Sequence, residues 1–279
     1  MRRTRSATGD VSSKSSKVTT ATLRTMKAQQ QRISALTAYD HLFASLLDQA
    51  GVDVILVGDS VATVVQGRDT TVPVTMDQMV YHTELVSRAC QRALVVGDLP
   101  FLSYQVSTED ALRNAGRMLK EGLAEAVKLE GGREFAPTVQ RLVAAGIPVM
   151  GHLGLTPQSI HQFGSYRARG QDSEEQQRIV DDARLLEQAG AFAIVLEKVP
   201  AELGQRVAAA VAVPVIGIGA GPHVDGQILV TPDLLGLFTR FRPRFVRRYK
   251  ELATEIGDAV RSYCRDVQSG SFPNADESY

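Results

Sequence analysis

Four acidic side chains each follow a short apolar run of this sequence, at the point where the run ends. Such runs are typical of strands buried on both faces, and the strands of a parallel barrel all end at one mouth. Carboxylates that converge there repel one another unless a cation or protonation relieves the repulsion. The pattern therefore predicts a divalent metal site built from some of Asp59, Asp98, Glu130 and Glu197.

The predicted metal is magnesium, because oxygen ligands without a neighbouring Cys or His pair favour a hard cation. Asp59, Asp98 and Glu130 are the natural ligand set. Lys128 and Glu130 lie two positions apart in one predicted strand, so their side chains share a face. A buried lysine is costly unless it contacts an acid or binds an anion. We therefore expect an anionic substrate that offers oxygen ligands to the metal.

Structural interpretations of the same residues stay open. The acids could instead form ion pairs with Lys128, Arg133 or Lys198. His152 suits a ligand or a proton carrier, and equally a histidine held by a neighbouring hydrogen bond. The glycine-rich loop Gly217–Gly221 is compatible with phosphate binding through backbone amides or with a tight turn alone.

Two kinds of segment alternate from Ile33 onward and would position these side chains. Short runs rich in Val, Ile and Leu predict strands, and the amphipathic stretches between them predict helices. Eight strands interleaved with helices indicate an α/β fold, a single-domain (β/α)8 TIM barrel. The alternative, an open doubly wound sheet, would usually show a dinucleotide fingerprint after its first strand, and none is present. The predicted strands are Ile33–Thr37, Val54–Val57, Ala93–Val96, Ala126–Leu129, Val149–Gly151, Phe192–Leu196, Val215–Ile218 and Gln227–Val230, and the predicted helices include His41–Ala50, Met76–Cys90, Thr108–Gly122, Glu134–Ala145, Glu174–Ala189 and Ala201–Ala210.

Composition limits the class of protein. The 279 residues contain 31 Lys and Arg against 31 Asp and Glu, which argues against a dedicated nucleic-acid binder. No run approaches the roughly 18 apolar residues of a membrane span, so no membrane partner is expected. Cys90 and Cys264 form neither a disulfide framework nor a structural zinc motif. A reducing cytoplasm fits this cysteine usage best.

The N-terminal end differs from the body. Residues 1–32 contain eight basic side chains and Asp10 as their only acid. Residues 1–20 contain almost no large apolar side chains, which predicts a flexible, disordered basic leader. A plain solvated leader is favoured, although the composition also overlaps with transit peptides and RNA-contacting arms. Leu23, Met26 and Lys27 predict a short helix that docks on the body.

The barrel with its terminal helices is expected over residues 21–268. The last helix, near Phe245–Val267, carries apolar residues at three- and four-residue spacing and should therefore bury one face. Residues 269–279 are polar and are expected to form a loose tail.

Long motifs occur in order between Ile33 and Val230. They read "LTAYD", "LVGDS", "QGRDTTVPVTMDQMVYHT", "DLPF", "KLEGG", "GHLGLTPQS", "VLEKVP" and "IGIGAGPHVDGQILV". This series closely resembles the 3-methyl-2-oxobutanoate hydroxymethyltransferase family, also called the ketopantoate hydroxymethyltransferases. The resemblance does not cover the leader before Lys27 or the tail beyond Gln268.

The resemblance implies an activity and an assembly. Such magnesium-dependent (β/α)8 enzymes transfer a hydroxymethyl group from 5,10-methylenetetrahydrofolate to 3-methyl-2-oxobutanoate, an α-keto acid. The products are 2-dehydropantoate (ketopantoate) and tetrahydrofolate, and the reaction serves pantothenate and coenzyme A biosynthesis. Similar enzymes form decamers of two stacked pentameric rings, so a homodecamer is expected.

The resemblance also implies roles for individual residues. In the family's pattern, Asp59, Asp98 and Glu130 hold the metal. Ser60 and Lys128 contact the keto acid together with Asp59 and Asp98, and Glu197 is the proton acceptor. The metal would stabilise the enolate that forms when C3 of the keto acid loses its proton. The folate site is not identified by any of these motifs.

Two alternatives belong to other classes. A magnesium-dependent lyase of the phosphoenolpyruvate mutase and isocitrate lyase type would also use a keto acid or enolate in a barrel. Such lyases are expected to carry a catalytic Cys in a gating loop, and neither Cys90 nor Cys264 suits that position. A non-catalytic scaffold that acts through residues 1–32 predicts that removing them abolishes the main activity whereas Asp98→Ala does not.

Overall fold

The computed structural model describes residues 16–279, and its strands form a closed parallel barrel. Each strand pairs with its neighbours in the sequence, and the last strand closes onto the first. The predicted (β/α)8 TIM barrel is therefore confirmed. The strands are β1 Ile33–Thr37, β2 Val54–Val57, β3 Leu94–Asp98, β4 Ala126–Glu130, β5 Val149–Gly154, β6 Ala193–Glu197, β7 Val215–Ile218 and β8 Gly226–Leu229.

Alternating side chains of each strand face two different apolar layers. In β2, Val54 and Leu56 pack inside the barrel, whereas Ile55 and Val57 pack against the surrounding helices. Because both faces are covered, the strands consist of nearly continuous apolar runs rather than alternating ones. This double burial explains why short apolar runs were sufficient to predict the strands.

Helices surround the barrel, and five of the eleven α-helices in residues 16–279 begin at a side-chain cap. Asp40 accepts a hydrogen bond from the Phe43 amide, and Ser107 accepts one from the Asp110 amide. The predicted Glu134–Ala145 helix begins with a short 3₁₀ turn, Arg133–Phe135, before its α-helical part. The α-helices are α1 Thr20–Ala28, α2 His41–Gln49, α3 Val61–Val64, α4 Met76–Ala89, α5 Thr108–Lys120, α6 Ala136–Ala144, α7 Ile160–Phe163, α8 Ser173–Gln188, α9 Ala201–Ala210, α10 Thr231–Leu234 and α11 Leu252–Ser269.

Four strands, β3 to β6, end later than predicted, so that three of the four acids lie within strands. The parallel ladder continues past the apolar runs, with Asp98 opposite Lys128 and Glu130 opposite His152. Glu197 ends β6 opposite Gly154. Backbone pairing does not depend on side-chain polarity, which is why apolarity alone placed these strand ends too early.

Residues 1–15 lie outside the described residues, so the predicted leader is described only from residue 16. Within the described residues, Val18 is buried and its amide donates to the Arg92 carbonyl. The predicted docked helix is confirmed as α1, in which Leu23 is fully buried. Lys27 anchors this helix by donating to the carbonyls of Ala208, Val211 and Val213.

The last helix differs from its prediction. Helix α11 begins at Leu252 rather than near Phe245, and none of its residues is buried. The exposed fractions of Ile256, Val260 and Tyr263 are 51%, 54% and 56%. The expectation that this chain buries the apolar face of α11 is therefore wrong. Apolar residues at three- and four-residue spacing show that a helix has an apolar face, but they do not show what covers it. The tail after Ser269 is exposed.

None of the helices among residues 16–279 is both long and apolar enough to cross a membrane.

Candidate active site

A cavity of ≈ 560 Å³ opens at the carboxyl ends of the barrel strands. This is the end at which barrels of this kind carry their active sites. The site residues expected from the sequence all line this one cavity, and they are Asp59, Ser60, Asp98, Lys128, Glu130 and Glu197.

Lys128 lies at the centre of the acidic end of the cavity. Its ammonium is 2.9 Å from Asp98 Oδ1 and 3.7 Å from Glu130 Oε1, and all three side chains are at most 3% exposed. Burial lowers the pKa of Lys128, but the charges of Asp98 and Glu130 raise it more, so the net shift is upward. Burial raises the pKa of Glu130, but Lys128 and the hydrogen bond with His152 more than offset it and lower that pKa. Lys128 and Glu130 therefore stay charged together.

Asp59 and Asp98 meet at the ends of β2 and β3. The Asp59 amide donates to Asp98 Oδ2 at 3.2 Å. Burial raises the pKa of Asp59 to about 8, and the charges of Asp98 and Glu130 add to this rise. Burial also raises the pKa of Asp98, more than the contact with Lys128 lowers it. Ionisation of both acids together is therefore unfavourable unless a further cation offsets their charges.

Sequence reasoning missed Gln158, which holds two of these acids. Its side-chain amide donates to Asp59 Oδ2 at 3.1 Å and to the Leu99 carbonyl at 3.0 Å. Its backbone amide donates to Glu130 Oε2 at 3.0 Å. Tyr104 in turn donates to Gln158 Oε1 at 2.9 Å. Gln158 lies in the "GHLGLTPQS" motif, but it follows no apolar run directly, so the strand-end rule could not select it.

His152 connects the acidic cluster to Glu197. Its Nδ1 lies 3.1 Å from Lys128 Nζ and 3.2 Å from Glu130 Oε1, and its Nε2 lies 3.4 Å from Glu197 Oε2. Burial and the Lys128 charge lower the pKa of His152, but Glu130 and Glu197 raise it more, to about 9. Glu197 is the most accessible acid of the set, with its side chain 17% exposed. It faces the cavity from β6, away from Asp59 and Asp98.

Backbone geometry brings β6 close to β5 at Glu197. Gly154 ends β5 with φ +88°, and a Cβ at this position would collide with the Glu197 carbonyl. The Leu155 amide donates to that same carbonyl at 2.9 Å. A glycine is therefore required here, both for its positive φ and for the close approach.

Ser60 lies at the start of α3, beside the acids. Its hydroxyl is 2.8 Å from the Tyr39 hydroxyl, whose pKa is raised by burial. The Tyr39 hydroxyl therefore holds the Ser60 side chain at the cavity wall. Tyr39 lies in the "LTAYD" motif, but the sequence analysis did not select it as a site residue.

The proposed ligand set fits a hard cation in chemistry and charge. Asp98 Oδ1 and Glu130 Oε1 are buried oxygens whose polar neighbours are cationic groups: Lys128 Nζ lies 2.9 Å and 3.7 Å from them, and His152 Nδ1 lies 3.2 Å from Glu130 Oε1. Within residues 16–279, no group of three Asp, Glu, His or Cys side chains forms a complete metal-binding site by itself. Mg²⁺ does not require one, since it usually keeps several waters and uses one or two carboxylates together with substrate oxygens.

The structural alternatives are resolved only in part. Lys128 does contact two of the acids, whereas Arg133 pairs with Asp182 and Lys198 donates to the Tyr166 carbonyl. In the glycine-rich loop, a Cβ on Gly219 would meet the Phe245 ring at 2.8 Å. This close packing accounts for one glycine without a phosphate, and phosphate binding stays a prediction.

Comparison with known proteins identifies relatives across the chain. The sequence profile described as ketopantoate hydroxymethyltransferase matches residues 17–275. A 3-methyl-2-oxobutanoate hydroxymethyltransferase from Prosthecochloris aestuarii is 56% identical over 266 residues, covering 94% of this chain and 96% of the relative. One of the same description from Syntrophus aciditrophicus is 53% identical over 267 residues, covering 96% and 98%.

Solved structures share the fold at low sequence identity. A phosphonopyruvate hydrolase superposes with a TM-score of 0.61 at 13% identity, covering 93% of this chain and 90% of that one. A 2,3-dimethylmalate lyase of the PEP mutase/isocitrate lyase superfamily has a TM-score of 0.58 at 16% identity, covering 93% and 90%. These likenesses establish the barrel, and the sequence matches establish the family. The chain therefore belongs to the ketopantoate hydroxymethyltransferase family of enzymes.

Proposed function

We propose that this enzyme transfers the one-carbon unit of 5,10-methylenetetrahydrofolate to C3 of 3-methyl-2-oxobutanoate, giving 2-dehydropantoate and tetrahydrofolate. One observation carries the proposal: a buried lysine among acids and a separate, more accessible acid face the same cavity. The first group suits the carboxylate and keto oxygens of an α-keto acid. The second suits the removal of a proton from the neighbouring carbon.

Lys128 binds the keto-acid carboxylate in this proposal. Its ammonium is already desolvated, so a second anion gains a strong contact without a further cost of burying the cation. Ser60 and the acids at the ends of β2 and β3 line the same part of the cavity and orient the substrate. Gln158 and Tyr104 act through the acids, because they hold Asp59 and Glu130 in position.

Asp59, Asp98 and Glu130 are the residues that would hold a magnesium ion. A phosphonopyruvate hydrolase of the same fold has been solved with oxalate and Mg²⁺, at 15% identity and a TM-score of 0.58 over 93% of each chain. When bound, the ion would supply positive charge that stabilises negative charge on the keto acid's oxygens. The raised pKa of Asp59 supports this assignment, because a bound cation would stabilise the ionised forms of these neighbouring acids.

Glu197 is the proposed general base. It accepts the proton from C3 of the keto acid while the electron pair of the C–H bond moves towards C2 and the keto oxygen. The resulting carbon nucleophile forms a C–C bond to the methylene carbon of the folate, and both C–N bonds of that carbon break. Water supplies the hydroxyl oxygen of the product, and one proton of the water together with the proton taken from C3 ends on the two folate nitrogens, which gives tetrahydrofolate. Glu197 suits this role because it is an acid outside the ligand set and is accessible from the cavity.

A single assay tests the proposed reaction. Purified full-length protein is mixed with 3-methyl-2-oxobutanoate, 5,10-methylenetetrahydrofolate and Mg²⁺, and 2-dehydropantoate is measured by mass spectrometry. Product that requires both substrates, and that is lost in EDTA and restored by added Mg²⁺, supports the proposal. Absence of product with both substrates and the metal would rule out the reaction, and full activity in EDTA would rule out the metal.

The fold is compatible with the lyase alternative, but the residues of the cavity do not support it. The neighbours of the PEP mutase/isocitrate lyase superfamily are too distant in sequence to carry an activity over. Cys90 and Cys264 are free thiols, yet neither lines the cavity, as a catalytic Cys of a gating loop would.

The predicted cytoplasmic location is compatible with two free thiols and stays a prediction.

We also propose the homodecamer implied by the family resemblance. The support on this chain is α11, whose apolar side chains Val260, Tyr263 and Val267 are 54%, 56% and 46% exposed. Sedimentation velocity at micromolar concentration is expected to give one large species, near ten times the 30.2 kDa of the chain. A species of monomeric mass would contradict the proposal.

Ile256→Glu should shift the distribution towards smaller species, while Glu255→Gln, a change on the same helix that adds no charge, should not.

A further inference from the structure

Residues 164–170 lie between α7 and α8 at the mouth of the cavity, and we call them the strap. Tyr166 of the strap lines the cavity and is 44% exposed. Burial raises the pKa of Tyr166, and the charges of Asp59 and Glu197 add to this rise, so its side chain faces the acids. The strap therefore contributes a wall to the space that Glu197 faces.

The two ends of the strap are held differently. At its C-terminal end, Glu175 on α8 pairs with Arg169 and accepts a hydrogen bond from the Gly170 amide at 2.6 Å. A Cβ on Gly170 would collide with the Leu203 side chain, so this end is closely packed. At the N-terminal end, Gly164 has φ +66°, and a Cβ there would meet nothing within 4 Å. One fixed end and one uncrowded glycine are typical of a segment that moves about a hinge.

Lys198 holds the middle of the strap. Its ammonium donates to the Tyr166 carbonyl, and among the described residues 16–279 this is the only hydrogen bond that reaches residues 165–168. The Lys198 carbonyl also accepts from the Arg169 amide at 2.9 Å. The residue that directly follows Glu197 thus contacts the strap through both its side chain and its backbone.

Lys198 has a left-handed backbone, with φ +52°. Few residues other than glycine adopt this conformation, because it crowds the Cβ against the backbone. The turn serves the barrel, since the Lys198 amide continues the ladder by donating to the Ile218 carbonyl at 2.8 Å. A glycine would make the same turn at lower cost. The contact that the side chain makes with the strap therefore accounts for a lysine at this position.

We infer that Lys198 is a positioning residue, which closes the strap over the keto acid in front of Glu197. This inference rests on the proposed function. After Glu197 has taken the C3 proton, the carbon nucleophile can form the C–C bond to the folate, or it can take a hydrogen back from the Glu197 carboxyl group. Water that reaches Glu197 exchanges with that hydrogen, so the returned keto acid carries a hydrogen of the solvent. A closed strap limits this exchange because it keeps water out.

The division between these two fates can be measured in one reaction. Full-length protein, Mg²⁺ and both substrates are mixed in heavy water, and mass spectrometry gives the product and the deuterium in the unreacted keto acid. Lys198→Asn removes the ammonium and introduces a residue that tolerates a left-handed backbone. It is expected to lower the ratio of product to deuterated keto acid about tenfold, the scale of losing one hydrogen bond from a charged group. Loss of product and of deuterium by the same factor would overturn the inference, because Lys198 would then only place Glu197.

Two further variants separate the side chain of Lys198 from its backbone. Lys198→Gly removes the same contact but relaxes the turn, and it should lower the ratio as Lys198→Asn does. Lys198→Arg keeps a charged donor and should restore most of the ratio. Arg167→Gln is the matched control, since Arg167 is an exposed cation of the strap that does not line the cavity. A wild-type ratio in both Lys198→Asn and Lys198→Gly would also overturn the inference.

Exchange of backbone amide hydrogens, followed by mass spectrometry, reports on the strap without any folate. Addition of 3-methyl-2-oxobutanoate and Mg²⁺ should slow amide exchange over residues 164–170 in wild type, and Lys198→Asn should lose most of this protection. If wild type forms product while the keto acid leaves the strap unprotected, the inference is wrong and the proposed function stands. If the keto acid protects the strap through Lys198 but wild type forms no product, the closure is supported and the proposed reaction fails.

Discussion

Glu197→Gln is expected to slow exchange of the C3 hydrogen of 3-methyl-2-oxobutanoate by 10²-fold or more, the usual scale for a positioned general base. The amide keeps the size of the carboxylate and can still contact His152, but it cannot accept the proton. Exchange in heavy water, followed by proton NMR of the keto acid, isolates this step because it needs no folate. Binding of Mg²⁺ and keto acid should stay close to wild type, since Glu197 faces the cavity from β6 and the ligand acids lie on β2 to β4.

The matched control for this variant is Glu202→Gln. Glu202 lies on α9, directly after β6, and is exposed to solvent away from the cavity. Its exchange rate should equal that of wild type. If Glu197→Gln exchanged as fast as wild type, another group would take the proton. His152 would be the first candidate, because its Nε2 lies 3.4 Å from Glu197 and the loss of the Glu197 charge would lower its raised pKa.

The barrel could be predicted from the sequence because local patterns fix most of it. Strands buried on both faces read as short apolar runs, and Ile33–Thr37, Val54–Val57 and Val215–Ile218 were predicted to the residue. Strand ends that carry chemistry were placed too early, since the ladder at Asp98, Glu130 and Glu197 continues through polar residues. Backbone pairing across the barrel is a non-local property that no single run contains.

Some residues of the candidate site could likewise be predicted from local patterns, and others could not. The acids at strand ends could be found because the barrel brings all strand ends to one mouth. Gln158 and Tyr104 could not, because their importance comes from hydrogen bonds to residues far away in the sequence. The prediction that one face of α11 is buried was wrong for a related reason. Periodicity shows that a helix face is apolar, but it does not show whether this chain or another molecule covers that face.

Asp98→Asn is expected to lower turnover by on the order of 10³-fold, the upper scale for removing one group that stabilises developing charge. Asp98 contacts the cluster through both of its oxygens, with Oδ1 2.9 Å from Lys128 and Oδ2 accepting from the Asp59 amide at 3.2 Å. Asparagine keeps the shape and can still accept from that amide, but it removes one negative charge from the cluster. The attraction for a divalent cation falls accordingly.

The same change has an opposite effect on Asp59. The charge of Asp98 helps to raise the pKa of Asp59 to about 8, so its removal should lower that pKa. Asp59 then ionises at a lower pH, which restores part of the lost charge but not the lost ligand. Calorimetric titration of Mg²⁺ in the presence of keto acid should therefore show weaker binding, with the thermal stability of the protein retained.

Asp53→Asn separates a ligand role from a general loss of buried charge. Asp53 is also buried, but it precedes β2 at the opposite end of the barrel and pairs with Arg92 at 2.7 Å. Its replacement should lower the melting temperature and leave the affinity for Mg²⁺ unchanged. Asp98→Asn should weaken Mg²⁺ binding and leave the melting temperature close to that of wild type, because a ligand acid held against a buried lysine contributes to cation binding more than to folding. Equal Mg²⁺ affinity in wild type and Asp98→Asn would remove Asp98 from the ligand set and leave its carboxylate as a structural partner of Lys128.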